Sequence, residues 1–453
     1  MSGGPSRGLS RRAVVKAGLA LPLAGCARRI AASGTRLELW TLALQPFESY
    51  IRGLIAQFEA ERPGVRVEWV DVPYDAMERK LVAATAARQS PDVVNMSDLT
   101  FARFASLGAF ADLGAIEPTP AAERYLPGAI GMCRIGGVLR SVPWYLTTQA
   151  VMANRALLER GGLDPNALPT RWSELLALSG AFKERTGAFL FSHPLGHESQ
   201  LPSILLAEGV KIFELDAEGS LRANLTSDAV RGVLAPWALA FRQGWIPRES
   251  ATQGHAHLVE GYQSGRLALI NSGPNFLGRI RDVAPSVFES TAVRPAVTGA
   301  LGRAHISVMT LGVMSRSRHP ELAAELVWHL TSPAAQLEFC KIVNILPSTP
   351  ASLSDPIFVG TGGDTGSAEA RITGARALTA RALPEAVAFT PALAAWPDMR
   401  KAFEDQFVRV LLGTRELDEA LETTQGRWNR LLVSTGGGEL DAVPTPGAIG
   451  AAL

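Results

Sequence analysis

Hydrophobic and polar positions along the chain switch repeatedly between two periods. Leu37-Glu38-Leu39-Trp40-Thr41 alternates with period two, as a half-buried strand does. Over 47–61 the apolar residues then fall at helical spacing, with Phe47, Ile51, Leu54, Ile55 and Phe58 on one face before Pro63-Gly64 ends the run. Val65–Val70 predicts a second strand, 74–89 a second helix with Met77, Leu81 and Ala84 facing inward, and Pro91-Asp92-Val93-Val94-Asn95 a short buried strand. A βαβαβ beginning of this kind predicts a parallel sheet covered on both faces, with right-handed crossovers. Ligands in such sheets sit beyond the carboxyl ends of the strands, so the loops after Thr41, Val70 and Asn95 become the first candidate site.

The pattern changes after about residue 147. Helices are predicted over 155–160, 172–186, 201–208, 227–243 and 257–265, with Leu267–Asn271 as a strand. Ile306–Val313 again reads as a strand, 320–342 as one long helix, and 396–412 and 416–432 as late helices. The segment 360–367 is a polar, glycine-rich loop. The tail from Ser434 is rich in Gly, Pro and Ala and is expected to be disordered.

Composition narrows the class. A chain of 453 residues predicts two or more folded units. With 47% hydrophobic and 19% charged residues it can bury a core. Lys+Arg at 44 against Asp+Glu at 43 leaves a net charge of +1, so no basic field draws it onto nucleic acid or an anionic membrane. The mean hydropathy of +0.11 owes much to alanine. No run of 18 uncharged apolar residues occurs, so no spanning helix is expected.

The first residues read as an address. Ser10-Arg11-Arg12-Ala13-Val14-Val15-Lys16 has the twin-arginine pattern, and the apolar stretch that follows is too short to span a bilayer. Leu23-Ala24-Gly25-Cys26 resembles a lipobox, which makes 1–25 a signal peptide, Cys26 the site of lipidation and 26–35 a linker. Acyl chains on Cys26 would hold an otherwise exported protein at a membrane surface. Cys133 and Cys340 remain, either as a disulfide that an exported compartment permits or as two buried small hydrophobes.

A search for catalytic motifs returns little. There is no phosphate-binding G-x-x-x-x-G-K-[ST] and no H-E-x-x-H, and Gly4-Pro5-Ser6-Arg7-Gly8 matches a nucleophile elbow without a preceding strand. Pro194 and Gly196 keep His193 and His197 from forming a helical metal pair. His255 and His257 would share one side of a strand but lack a third ligand. No carboxylate pair stands out, and neither a cofactor nor a metal is expected. Tryptophans at loop edges say more: Trp40, Trp144 and Trp396 flank expected loops and could stack on sugar rings or pack in the core, whereas Trp172, Trp237, Trp328 and Trp428 lie within helical patterns and read as core.

Five segments in order carry a resemblance. They are Leu39-Trp40-Thr41; Pro91-Asp92-Val93-Val94 with Leu107-Gly108-Ala109-Phe110-Ala111-Asp112-Leu113; Arg171-Trp172-Ser173-Glu174; Gly265-Arg266-Leu267-Ala268-Leu269 with Ser272-Gly273-Pro274; and Ser332-Pro333-Ala334-Ala335-Gln336 through Leu346-Pro347-Ser348. Together they resemble the carbohydrate-type substrate-binding proteins of ABC importers, extracellular solute-binding protein family 1, over about 37–432. Two departures occur. Many members place Trp after the Gly-Pro, where this chain has Asn275-Phe276. The family's Tyr-Tyr-Asn reads here as Val151-Met152-Ala153-Asn154.

The resemblance implies an α/β fold of two lobes, the type II periplasmic-binding-protein fold, with a ligand cleft between lobes joined by a hinge. The first lobe would comprise 36–146 and 300–346, the second 147–299 and 347–435, with 436–453 as the tail. It implies a monomeric binding protein, not an enzyme, that takes a small-molecule solute, a sugar in the form of an oligosaccharide or glycoside, to the transmembrane permease by hinge closure. On this reading Trp40 and Trp144 stack on rings, and Gln45, Ser97, Asp98, Tyr145 and Asn275 bond hydroxyls. Ser272 and Gly273 add backbone or hydroxyl contacts, and His197, Trp396 and Arg400 come from the second lobe. Ser97 and Asp98 also read as helix caps. The alternatives are an exported cell-envelope hydrolase, the same fold binding a glycerol phosphodiester, polyamine or metal chelate, and a sensor that feeds a receptor.

Overall fold

The structure, a computed structural model, describes residues 34–73, 76–116, 121–360 and 367–435. The twin-arginine segment, Cys26, the tail 436–453 and positions 361–366 of the glycine-rich loop lie outside the described residues.

Thr35–Leu42 forms the expected strand and pairs in parallel with Val65–Val72 on one side and Val93–Ser97 on the other. Its alternation is real: Leu37 and Leu39 enter one core, Trp40 and Leu42 the other. Helix Glu48–Ala60 buries Ile51, Leu54, Ile55 and Phe58, four of the five residues on the face read from its spacing. The sheet is wider than the opening pattern implies. Its order is Val65–Val72, Thr35–Leu42, Val93–Ser97, Ile306–Val313, Val142–Thr148 and Leu346–Pro347. Ile306–Val313 runs antiparallel to both of its neighbours, which makes the sheet mixed. The carboxyl ends of Thr35–Leu42, Val65–Val72, Val93–Ser97 and Val142–Thr148 therefore lie at one edge, together with the amino end of Ile306–Val313.

From that edge the chain leaves for a second lobe. Thr148 ends one strand, Gln149 crosses, and Ala150–Asn154 becomes the central strand of a three-stranded antiparallel sheet between Leu269–Ser272 and Thr291–Pro295. Val151 and Ala153 face a large core that includes helices Trp172–Thr186, Asp228–Arg242, Trp396–Leu411 and Leu417–Ser434, while Ala150 and Met152 face a smaller one. The chain returns over 296–305 and crosses a third time near Val387–Phe389. The last two crossings are stitched by Val387 N–H to Ala304 O (2.9 Å) and Ile306 N–H to Val387 O (3.0 Å).

The structure corrects several expectations. Leu353, Ile357, Phe358 and Leu383 pack in the first lobe's core, so the third crossing falls near 387–389 rather than at 347. Helix Ala368–Ala382, absent from the predicted elements, spans the seam: Ala375 packs in the second lobe and Ala380 in the first. The single helix expected over 320–342 is two, Pro320–Leu330 and Pro333–Ile342. Pro333 has no N–H to continue the first helix, and the Ser332 hydroxyl caps the second by accepting from Ala335 N–H. His255 and His257 lie in helix His255–Gln263, not in a strand, and so point in different directions. Cys133 and Cys340 are free and buried, and burial pushes both thiols up to about 12. Among the described residues no helix is long and apolar enough to cross a membrane, and no group of His, Cys, Asp or Glu could hold a metal ion.

Candidate functional site

The edge where the strands end and the chain crosses is a cleft between the lobes. Its floor is held by Asn271, whose amide donates to Gln149 Oε1 (2.7 Å) and accepts from Val297 N–H (2.9 Å), so that two crossings share one side chain. His305 joins the third: its Nδ1 accepts from Phe389 N–H (3.2 Å), and its backbone carbonyl accepts from the Thr148 hydroxyl (2.8 Å). The lobes also touch outside the floor. Helix Asp98–Ser106 approaches helix Trp396–Leu411, and Asn344 donates to Pro274 O (3.0 Å) while accepting from Arg376 Nε (3.1 Å).

On the first lobe the rim is organised by one carboxylate. Asp71 accepts from the Thr41 hydroxyl (2.8 Å), Leu44 N–H (2.8 Å) and Gln45 N–H (2.9 Å). That arrangement fixes the turn after the first strand, where Ala43 takes a left-handed φ of 54°. Farther along, Asp98 accepts from Val308 N–H (3.3 Å), and the Ser97 and Thr100 hydroxyls meet at 3.3 Å. Ser97 is the residue before the helix but its side chain makes no cap bond to the backbone.

On the second-lobe rim His255 is held through both its backbone and its ring. Glu198 accepts from His255 N–H (2.9 Å), His255 Nε2 pairs with the Ser272 hydroxyl (2.9 Å), and the His255 ring lies 5.3 Å from that of Phe276. A Cβ at Gly254 would come within 2.2 Å of the Glu198 carboxylate, and one at Gly273 within 2.2 Å of Asn275 Oδ1, so glycine makes both approaches possible. Beside these residues, Glu404 accepts from Ser199 N–H (3.0 Å) with Arg400 at 3.6 Å. Burial raises the Glu404 carboxyl above its ordinary range against the opposing pull of Arg400. Burial lowers His255, with Glu198 opposing.

Between the crossings and the second lobe lies a half-open cavity of about 370 Å³ including its mouth, lined in part by Gln149, Trp172, His193, Gln200, His305 and Phe389. Burial holds His193 near 3, reinforced by the neighbouring His255, and brings His305 down to about 4. Both are neutral at ordinary pH. The arrangement can hydrogen-bond uncharged polar groups and pack apolar faces.

The candidates read from the sequence divide by placement. Gln45, Ser97 and Asp98 stand at the first-lobe edge, and Ser272, Gly273, Asn275, His197 and Arg400 at the second. The tryptophans do not offer platforms. Trp40 packs in the core with its indole N–H on Glu38 (2.6 Å) and the Lys80 ammonium 4.2 Å from its ring. Trp144 is fully buried and stacks on Phe339 at 5.8 Å, with Tyr145 beside it also packed against Phe339. Trp396 is buried edge-on to Trp428 at 5.6 Å. In each case a loop edge in sequence is a packed position in space. Gln149, His193, Glu198, His255 and Glu404 were not among the candidates. Their convergence depends on contacts across 57 to 205 residues of sequence, and no local motif marks it.

Comparison with known proteins agrees with this geometry. A profile of the family described as bacterial extracellular solute-binding protein matches residues 44–337. Over 382 residues the chain is 25% identical to an uncharacterised lipoprotein encoded in the oleD 5′ region of Streptomyces antibioticus, covering 81% of this chain and 83% of that one. The crystal structure of a candidate oligosaccharide periplasmic-binding protein from Synechococcus sp. MITs9220 superposes with a TM-score of 0.80 at 35% identity, covering 88% of this chain and 99% of that one. The GacH receptor of Streptomyces glaucescens GLA.O, solved unliganded and with acarbose, matches with a TM-score of 0.70 at 21% identity over 88% and 99% of the two chains, a likeness of fold.

Proposed function

The chain belongs to the bacterial extracellular solute-binding protein family, and from that premise we propose that it binds a sugar, as an oligosaccharide or glycoside, in the cleft between its lobes. The observation that carries the reading is the floor itself. Three crossings meet at Gln149, His305 and Phe389, where the carboxyl ends of the larger sheet face the Ser272–Asn275 turn of the smaller one. Crossings of this number allow rotation about one axis, so a solute that touches both rims favours the closed form by its extra contacts. Amides, hydroxyls and imidazoles line the floor beside the one guanidinium of Arg303, with Phe276 and Phe389 as aromatic faces nearby, a chemistry suited to hydroxylated rings. Closure would then present one face of the protein to the transmembrane subunits of an ABC importer.

The twin-arginine segment and lipobox support export and anchoring through a lipid on Cys26, as does the name lipoprotein carried by the Streptomyces antibioticus relative. The site residues we assign are Gln45, Ser97 and Asp98 on one rim and His197, Ser272, Gly273, Asn275 and Arg400 on the other, to which the structure-guided reading adds Gln149 and His255. Thermal unfolding against maltose, maltotriose, glycerol phosphate and spermidine tests the assignment. A solute at about 1,000 times its dissociation constant stabilises the folded chain by roughly 4 kcal/mol. An upward shift with a saccharide that is not consumed supports the reading. A shift with spermidine or glycerol phosphate alone replaces the solute class, and consumption of a glycoside moves the protein to the hydrolases.

A further inference from the structure

We propose that His193 is a solute-contacting residue, its Nε2 meeting an uncharged hydroxyl-type group of the solute at the base of the cleft. The inference rests on the solute-binding reading and deepens it by naming one contact and the chemistry it recognises.

Three histidines lie at the seam, and two are occupied. His255 Nε2 is paired with the Ser272 hydroxyl at 2.9 Å, and His305 Nδ1 accepts the Phe389 N–H at 3.2 Å. His193 differs. Only 5% exposed, it packs beside the touching rings of Trp172 (5.0 Å) and Trp237 (5.6 Å), and among the described residues nothing partners its Nε2. Folded proteins rarely leave a buried polar atom unpaired, and where they keep one a functional reason is the first to test. The ring is held in place by aromatic packing, so the nitrogen is preorganised rather than free to find another partner. It also lines the cavity at the crossings together with Gln149, Gln200 and Ser203.

The lining decides the ligand chemistry. Among the lining residues none is Asp or Glu, and Arg303 is the one with a permanent charge, so an ammonium group finds no counter-ion there. A neutral imidazole carries one donor and one acceptor, which matches a hydroxyl that can act as either.

The test compares wild-type protein with His193→Phe, which keeps an aromatic ring against the two indoles and deletes the nitrogens. The probe is whichever of maltose, maltotriose, glycerol phosphate and spermidine raises the wild-type melting temperature most. We expect solute-free His193→Phe to melt at or above wild type, because an unpaired buried nitrogen is removed, and its affinity for the saccharide probe to fall at least tenfold. A dissociation constant unchanged from wild type overturns the inference and leaves the sugar reading standing. A solute-free variant that melts several degrees lower, with affinity retained, assigns the ring a packing role and overturns it as well. Should the variant fail to fold, imidazole ¹⁵N resonances of wild type decide: the His193 Nε2 shift must move on titration with the saccharide, and a stationary signal overturns the inference. Wild type that binds only spermidine or glycerol phosphate, or none of the four, overturns the sugar reading and this contact together.

Discussion

The two rims of the cleft spend their polar groups differently. On the first lobe one carboxylate, Asp71, takes a hydroxyl and two backbone N–H groups and thereby fixes a turn. On the second lobe the carboxylates Glu198 and Glu404 are likewise committed to backbone N–H groups, those of His255 and Ser199, but the His255 ring meets another side chain, the Ser272 hydroxyl, and Arg400 lies beside Glu404. A group committed to the backbone can be redirected only by unmaking the loop. A group that bonds another side chain can exchange that partner for a solute by a rotamer change. The Asp71 turn is thus a scaffold of the first rim, and the His255–Ser272 pair is the contact of the second rim that a rotamer change can release.

The largest expected effect tests the scaffold's core. Trp144→Ala should cost about 3–5 kcal/mol in denaturant unfolding, because a fully buried indole is lost from beneath the sheet. Stability retained with affinity lost would return Trp144 to the cleft. The seam responds next, to acid. His193 and His305 stay neutral in the fold down to about 3 and 4, while unfolded histidine titrates near 6.5, so the unfolded chain takes up more protons between those values. Stability is therefore complete above about pH 6.5 and falls as pH drops, by up to about 1.4 kcal/mol per unit for each ring. Urea unfolding at pH 7.0, 6.0 and 5.0 reads the slope, and His193→Phe should flatten it.

Asp71→Ala follows, at about 2 kcal/mol, since a carboxylate with three partners is removed from the half-exposed end of strand Val65–Val72. Its effect on the relative affinities of the four probes should be small; a changed order of preference would place discrimination on the first rim and break the contrast. Ser272→Ala is smaller, about 1 kcal/mol in stability, but should weaken saccharide binding because His255 loses its orienting partner. Least of all, Gln45→Ala on the exposed first rim should leave stability within about 0.5 kcal/mol by the same unfolding measurement.

Much of the fold was legible because periodicity is local. The inward face of Glu48–Ala60, the alternation of Thr35–Leu42 and the full extent of Ile306–Val313 follow from spacing alone. Helix Ala368–Ala382 was not legible, since its buried positions are Arg371, Gly374, Ala375, Ala377, Thr379 and Ala380, small or polar residues that do not contrast with the outward ones. The break at Pro333 was hidden by apolar residues that continue on both sides of it. The site divided in the same way. Loops at strand ends led to Ser97, Asp98, Ser272 and Asn275, but the side of the sheet on which a tryptophan falls is set by what covers it, and Trp40, Trp144 and Trp396 are all covered.

By itself, then, the sequence determined the α/β class, the strand ends that make a cleft and the family to which the chain belongs, because each is written in short-range spacing or in ordered motifs. Only the tertiary structure decided where the chain crosses for the third time and which polar groups find partners. His193 and His255 are 62 residues apart, one in a loop and one at the start of a helix, yet only the second meets a hydroxyl. Whether a buried nitrogen is satisfied depends on atoms brought together from distant parts of the chain, and no local pattern carries that information.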